Sequence, residues 1–172
     1  QLVKKGFGLW RKEFMYNDFV LVGPKDDPGS VKKSKSIKEA LEFISRTKLN
    51  FISRGDDSGT HKKETFLWQS YGIKPDPRKD KWYLSVGQGM GGAINIAVNK
   101  DAYILSDRST WLTFNNKKNH KILVENKPLL FNYYGVVPIN PEKCEEAKLE
   151  MVKLFVEWLT SRKTKGLISS FR

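Results

Sequence analysis

Asn50-Phe51-Ile52-Ser53-Arg54-Gly55-Asp56-Asp57-Ser58-Gly59-Thr60-His61-Lys62-Lys63-Glu64 is the stretch whose reading decides the fold. Asn50–Ser53 has the apolar centre and short length of a buried strand. A polar turn bearing Gly55 and Gly59 follows at once, and a helix starts near Ser58–Thr60. The next apolar positions, Phe66, Leu67, Trp68 and Tyr71, continue that helix until Gly72 and Pro75 stop it. A strand feeding directly into a helix is the repeating step of an α/β sheet.

Working outward, the same alternation recurs. Phe19–Val22 reads as a strand ended by Gly23-Pro24, and the loop Lys25–Lys35 follows. Ser36-Ile37-Lys38-Glu39 then forms a capping box ahead of Ile37, Ala40, Leu41 and Ile44 at helical spacing. Downstream, Trp82–Val86 reads as a strand leading through Gly87-Gln88-Gly89-Met90-Gly91-Gly92 into a third helix marked by Met90, Ala93, Ile94 and Ala97. Ala102–Leu105, Lys121–Val124 and Tyr134–Ile139 are further strands. Pro141 is expected to open a long terminal helix whose stripe of Cys144, Ala147, Met151, Leu154, Phe155, Trp158 and Leu159 packs into a core. The predicted class is α/β, with helices on both faces of the sheet.

Composition bounds the function classes. The 172 residues are 39% hydrophobic and 29% charged, with five Trp and ten Phe, which excludes a disordered chain. The net charge of +12 suits either a solubility role or an anionic partner. The lysines scatter, and no helix-turn-helix, zinc-ligand set or RNA-recognition signature accompanies them, so nucleic acid is not the expected partner. Cys144 is the only cysteine, which rules out an internal disulfide. No run is long and apolar enough to span a bilayer, and the first residues lack the apolar centre of a signal peptide.

The chemistry concentrates in the turn. The first turn of a helix carries backbone N–H groups without internal partners, and the helix dipole adds partial positive charge there. Gly59 clears space for close approach, Ser58 and Thr60 add hydroxyls, and Arg54 adds a forked permanent charge. These groups suit a tetrahedral oxyanion. Equally, Ser58 or Thr60 is an ordinary helix cap. Gly87–Gly92 is likewise either a tight turn or a second binding wall, with Gly89 and Met90 as backbone donors. Ser58, Asp57 and His61 lie too close in sequence for a nucleophilic relay, and there is no HExxH pattern, so neither an enzyme nor a cation site is expected. His61 reads as a surface helix residue.

MYNDFVLVGPKDDPG, NFISRGDDSGTHKKETFLWQSYGI, KWYLSVGQGMGGAINIAVNKDAYILSDRSTWL, FNYYGVVPINPEK and FVEWLTS together resemble the tungstate-binding periplasmic proteins of ABC transporters, in order and with matching spacing. SRGDDSGTHKKE and GQGMG are the most specific parts. Phosphate-binding relatives share a looser pattern matched by Arg54, Asp56, Ser58, Gly59 and Thr60. The resemblance implies a type II periplasmic binding protein fold, with one complete lobe and the C-terminal part of the other. Residues 1–17 are then a remnant of the first lobe. Residues 18–139 form the second lobe, with crossing strands at about 18–23 and 134–139, and 140–172 return to the first. Members of the family carry a Thr/Ser-rich anion-binding loop near the start of the first lobe, and nothing before Met15 resembles it.

The implied ligand is tungstate, or molybdate, held by Arg54, Ser58, Gly59, Thr60, Gly89 and Met90 without a cofactor. The implied partners are an ABC permease and its ATPase subunit, and the implied location is periplasmic or extracytoplasmic. A phosphate-type binder of the same fold, or the effector-sensing domain of a transcriptional regulator, are the alternatives. Because tungstate presents only acceptors, Asp56 and Asp57 are expected to turn from the ligand, pairing with Arg54 or capping the helix.

Overall fold

A computed structural model describes residues 1–170. The chain divides into two compact units, Asn17–Phe131 and the pair Gln1–Tyr16 with Asn132–Arg172.

Asn17–Phe131 is an α/β sandwich. Its strands are β1 (Lys12–Pro24), β2 (Phe51–Ser53), β3 (Tyr83–Ser85), β4 (Tyr103–Asp107) and β5 (His120–Val124), in the order β3-β2-β4-β1-β5. β2 runs parallel to both β3 and β4, whereas β1 runs antiparallel to β4 and β5. The helices are α1 (Ile37–Thr47), α2 (Gly59–Ser70), α3 (Met90–Asn99) and the short α4 (Arg108–Thr113).

Strand residues alternate between the faces, as the two-residue period requires. Phe19, Leu21, Phe51, Tyr83, Tyr103 and Leu105 join Ile37, Ala40, Leu41 and Ile44 of α1 and Leu67 and Trp68 of α2. Val20, Val22, Ile52 and Ile104 join Met90, Ala93, Ile94 and Ala97 of α3 and Trp111 of α4. Both faces are therefore covered, and each fully buried Leu or Ile contributes about 1.5–3 kcal/mol. The capping box before α1 forms in a shifted version. Ser36 Oγ accepts from Glu39 N–H at 3.2 Å, but the Glu39 carboxylate accepts from Lys35 N–H at 2.6 Å.

Three expectations need correction. β1 extends back to Lys12, seven residues before Phe19, because its first half mixes exposed Lys12, Glu13 and Tyr16 with partly buried Phe14, Met15 and Asn17 and shows no regular apolar alternation. The strand expected at Tyr134–Ile139 is β6, Phe131–Val136, which pairs with β1. Pro138 has no N–H to give a ladder, and Ile139 makes only an isolated bridge to Gly8.

The terminal helix does not open at Pro141. Asn140 captures the Glu142 N–H through its side-chain oxygen at 3.1 Å, a local turn that competes with helix. Helix α5 starts at Leu149 and ends at Thr160, and α6 covers Arg162–Ser170. Within this unit, the α5 stripe is not core. Met151, Leu154, Phe155 and Trp158 are more than half exposed, and Val156 is the buried residue of α5.

Candidate functional site

β2 and β3 are neighbours whose following helices go to opposite faces of the sheet: α2 to the face of Phe51, α3 to that of Ile52. Where adjacent parallel strands diverge in this way, a crevice opens at their carboxyl ends. The two glycine-bearing segments read from the sequence, 54–60 and 87–92, follow β2 and β3 at those ends. They are joined directly. Val86 N–H donates to Ser53 O at 3.0 Å, and Gln88 N–H donates to Arg54 O at 3.1 Å. Gly55 adopts φ +61°, and a Cβ there would lie 2.0 Å from Ser85 Oγ, so the turns pack without room for a side chain.

Each helix start offers free donors. Ser58 is the α2 N-cap, its hydroxyl accepting from His61 N–H at 3.3 Å. Lys62 N–H bonds Ser58 O, so the N–H groups of Gly59 and Thr60 find no acceptor among the described residues. At α3 the N-cap is Gly89, which has no side chain to cap with. Ala93 N–H bonds Gly89 O, which leaves the N–H groups of Met90, Gly91 and Gly92 likewise without acceptors among the described residues. Gly59 and Gly89 both face open space.

Arg54 supplies the charge. Its Nη2 donates to Asp56 Oδ2 at 2.5 Å, and its Nε is buried without a partner among the described residues. Asp56 also accepts from Ser58 N–H at 3.3 Å. Partial desolvation pushes the Asp56 carboxyl up, but the bonds from Ser58 and Arg54 outweigh it and hold the group down at about 2. Asp57, at φ +57°, points to solvent and pairs with Lys62 at 3.4 Å. Both carboxylates are thus engaged within the turn, Asp56 in the pairing expected of it.

Of the six residues expected to hold the anion, Arg54, Ser58, Gly59 and Gly89 lie in the two joined turns. The Thr60 and Met90 side chains are buried, leaving their backbone N–H groups as the donors. His61 lies on the helix surface as expected, though only partly exposed. It accepts from Asp57 N–H at Nδ1 over 3.0 Å, and lines a cavity of about 360 Å³ with Trp68, Tyr83 and Ser85. The sequence places Gln88 in the second turn but foretells neither its bond to Arg54 nor the packing of Ser85 against Gly55. Their signal was positional, at the end of a strand beside a glycine.

A family profile described as PBP superfamily domain matches residues 2–163. The chain belongs to the PBP superfamily. Within that superfamily it is 46% identical to the tungstate-binding protein TupA of Peptoclostridium acidaminophilum, over 99% of this chain and 59% of the relative. It is 41% identical to the TupA of Campylobacter jejuni, over 100% of this chain and 64% of that protein. The solved tungstate-binding protein TupA of Desulfovibrio alaskensis superposes with a TM-score of 0.90 at 41% identity, over 99% of this chain and 69% of that one. This PBP superfamily chain therefore spans about three-fifths of the length of the curated relatives it matches. The α/β architecture and these relatives fit the type II periplasmic binding protein fold that the family resemblance implied. Among the described residues no helix is long and apolar enough to cross a membrane.

Proposed function

We propose that this chain binds a fully deprotonated tetrahedral oxyanion, tungstate or the similar molybdate, as the solute-binding component of an ABC importer. The observation that carries this reading is the pair of helix starts at one crevice, α2 and α3, whose free N–H groups are tied together through the Gln88–Arg54 bond. Five N–H donors, the Ser58 hydroxyl and the Arg54 guanidinium suit an anion that presents acceptors only. The donors converge on acceptors and ask for no bond to be made or broken, so the work proposed here is binding. The names of the relatives support tungstate as the ligand; action outside the cytoplasm and delivery to a permease with its ATPase subunit are part of this proposal.

A phosphate-type ligand is the second reading, because the turn matches that pattern loosely. Asp56 argues against it. Phosphate near neutral pH keeps a proton that needs an acceptor, and the Asp56 oxygens already accept from Arg54 and Ser58. Competition calorimetry decides between the two. Tungstate should bind and resist displacement by excess phosphate, and phosphate displacing tungstate would overturn the assignment.

A further inference from the structure

Behind the crevice lies a carboxyl group that the binding account does not use. Glu64 sits on α2 one helical turn after Thr60, and side chains on a helix lean toward its N-terminus. Its carboxyl therefore lies beneath the first turn that presents the Gly59 and Thr60 donors. The residue is 3% exposed. Tyr83 Oη, reaching from β3, donates to Glu64 Oε1 at 2.6 Å, and Trp68 Nε1 of the same helix donates to that oxygen at 3.1 Å. From β2 the buried Ser53 hydroxyl, next to Arg54, also faces it, although without the geometry of a full hydrogen bond.

Among the described residues no positive charge offsets this carboxyl. Arg54 is engaged by Asp56, and Lys63 reaches away to Phe131 O. Among the described residues, no charged group on α2, β2, β3 or β4 acts on it. Burial pushes the Glu64 carboxyl up to about 7, against the pull of the bonds from Tyr83, Ser53 and Trp68.

A negative charge buried here would repel a dianion held at the helix start, and would offset part of the positive helix end that attracts the dianion. The hydrogen-bonded position of Glu64, linking α2 to β3 below the crevice, makes its protonation state part of the site. We propose that Glu64 is a positioning residue of the oxyanion site that is uncharged when the anion is bound, so that above neutrality binding takes up one proton from solvent. This rests on the oxyanion reading above. The anion remains deprotonated, and the proton resides on the Glu64 carboxyl. Ionisation of the empty site then competes with binding, and affinity falls as pH rises through about 7.

The test is calorimetric titration of the protein with sodium tungstate at about pH 6.5 and about pH 8.5, in buffers of differing ionisation heat. The wild type should take up nearly one proton at the higher pH and bind at least about tenfold more weakly there. Glu64→Gln, which keeps the acceptor oxygen for Tyr83 and Trp68, should abolish both effects. Tyr83→Phe removes a bond that favours the ionised carboxyl, so it should move the loss of affinity to higher pH, and it serves if the Gln variant misfolds. His61→Gln is run alongside, because His61 is a titratable residue in the first turn of α2 and accepts from Asp57 N–H. Wild-type binding with no proton uptake would overturn the proposal. So would a pH profile that survives in Glu64→Gln and disappears in His61→Gln. Absence of tungstate binding at either pH, in wild type and variants alike, would instead refute the oxyanion reading itself.

Discussion

Replacing Gly55 by alanine tests whether the two turns form one unit. Gly55 holds φ +61°, a left-handed conformation that costs an L-residue about 1–2 kcal/mol. The new methyl would meet Ser85 Oγ at 2.0 Å, Ser85 Cβ at 3.3 Å and Gly87 N at 3.4 Å. The Ser85 hydroxyl can rotate away, but the Cβ and the backbone nitrogen are close from two directions, so β3 or its turn must give by a few tenths of an ångström. Adding about 1 kcal/mol for that displacement gives a destabilisation of ~2–3 kcal/mol. Urea denaturation followed by tryptophan fluorescence measures it, with an unchanged slope showing that the denatured state is unaltered. The same displacement stretches the Gln88–Arg54 bond, so tungstate affinity should fall with stability. Ser85→Gly in the same chain should recover the steric part and leave the backbone part, about 1–2 kcal/mol. A Gly55→Ala protein within ~0.5 kcal/mol of wild type, or one that Ser85→Gly does not improve, would refute the close packing of the turns.

Arg54→Gln keeps a donor and removes the charge, and should weaken tungstate binding by ~1.5–3 kcal/mol in calorimetry. Unchanged affinity would place Arg54 outside the site. For Glu64 the folded carboxyl lies at about 7 against a reference of 4.5. Its stabilising contribution is full below about 4.5 and lost as pH rises through 7, at about 1.4 kcal/mol per pH unit or ~3 kcal/mol in all. Glu64→Gln should accordingly gain stability over wild type between those limits, and a pH-independent difference in urea midpoints would count against the buried ionisation. Arg108 holds Asp18 through two bonds of 2.6 and 2.7 Å and Glu125 through one of 2.7 Å. Arg108→Met should cost ~2–4 kcal/mol by leaving the buried Asp18 carboxylate unpaired. Asp18→Asn in the same chain should recover part of that loss, and additive losses would show that the two residues act independently.

Much of the lobe was legible because its signals are local. The strand-turn-helix at Asn50–Glu64, the stop at Gly72 and the Met90, Ala93, Ile94, Ala97 spacing all appear where the sequence pattern puts them. Periodicity failed where it had to stand for a partner. The α5 stripe at Met151, Leu154, Phe155 and Trp158 has the spacing of a buried face, but spacing cannot say whether the covering surface belongs to the same unit. Strand limits were lost where apolar and polar residues do not alternate, as at Lys12–Asn17, and where Pro138 ended the ladder.

In the site, Arg54, Ser58 and Gly59 were readable from the chemistry of a helix start. The neighbouring residues that set its geometry were not. Ser85 and Gln88 matter because β3 lies beside β2, a pairing that no short stretch of sequence states. Glu64 reads as one more charged residue in a Lys-rich helix start. Its burial against Tyr83 and Trp68 appears only once three elements are assembled.

The central claim is that an oxyanion sits between the starts of α2 and α3. Anomalous diffraction at the tungsten edge, from crystals grown with tungstate, tests this directly. The predicted result is a single tungsten peak within about 4 Å of the Gly59 and Thr60 nitrogens, with Arg54 and the Met90 or Gly91 nitrogen closing on the same oxygens. A peak elsewhere on the lobe, or none at the crevice under saturating tungstate, would contradict the account.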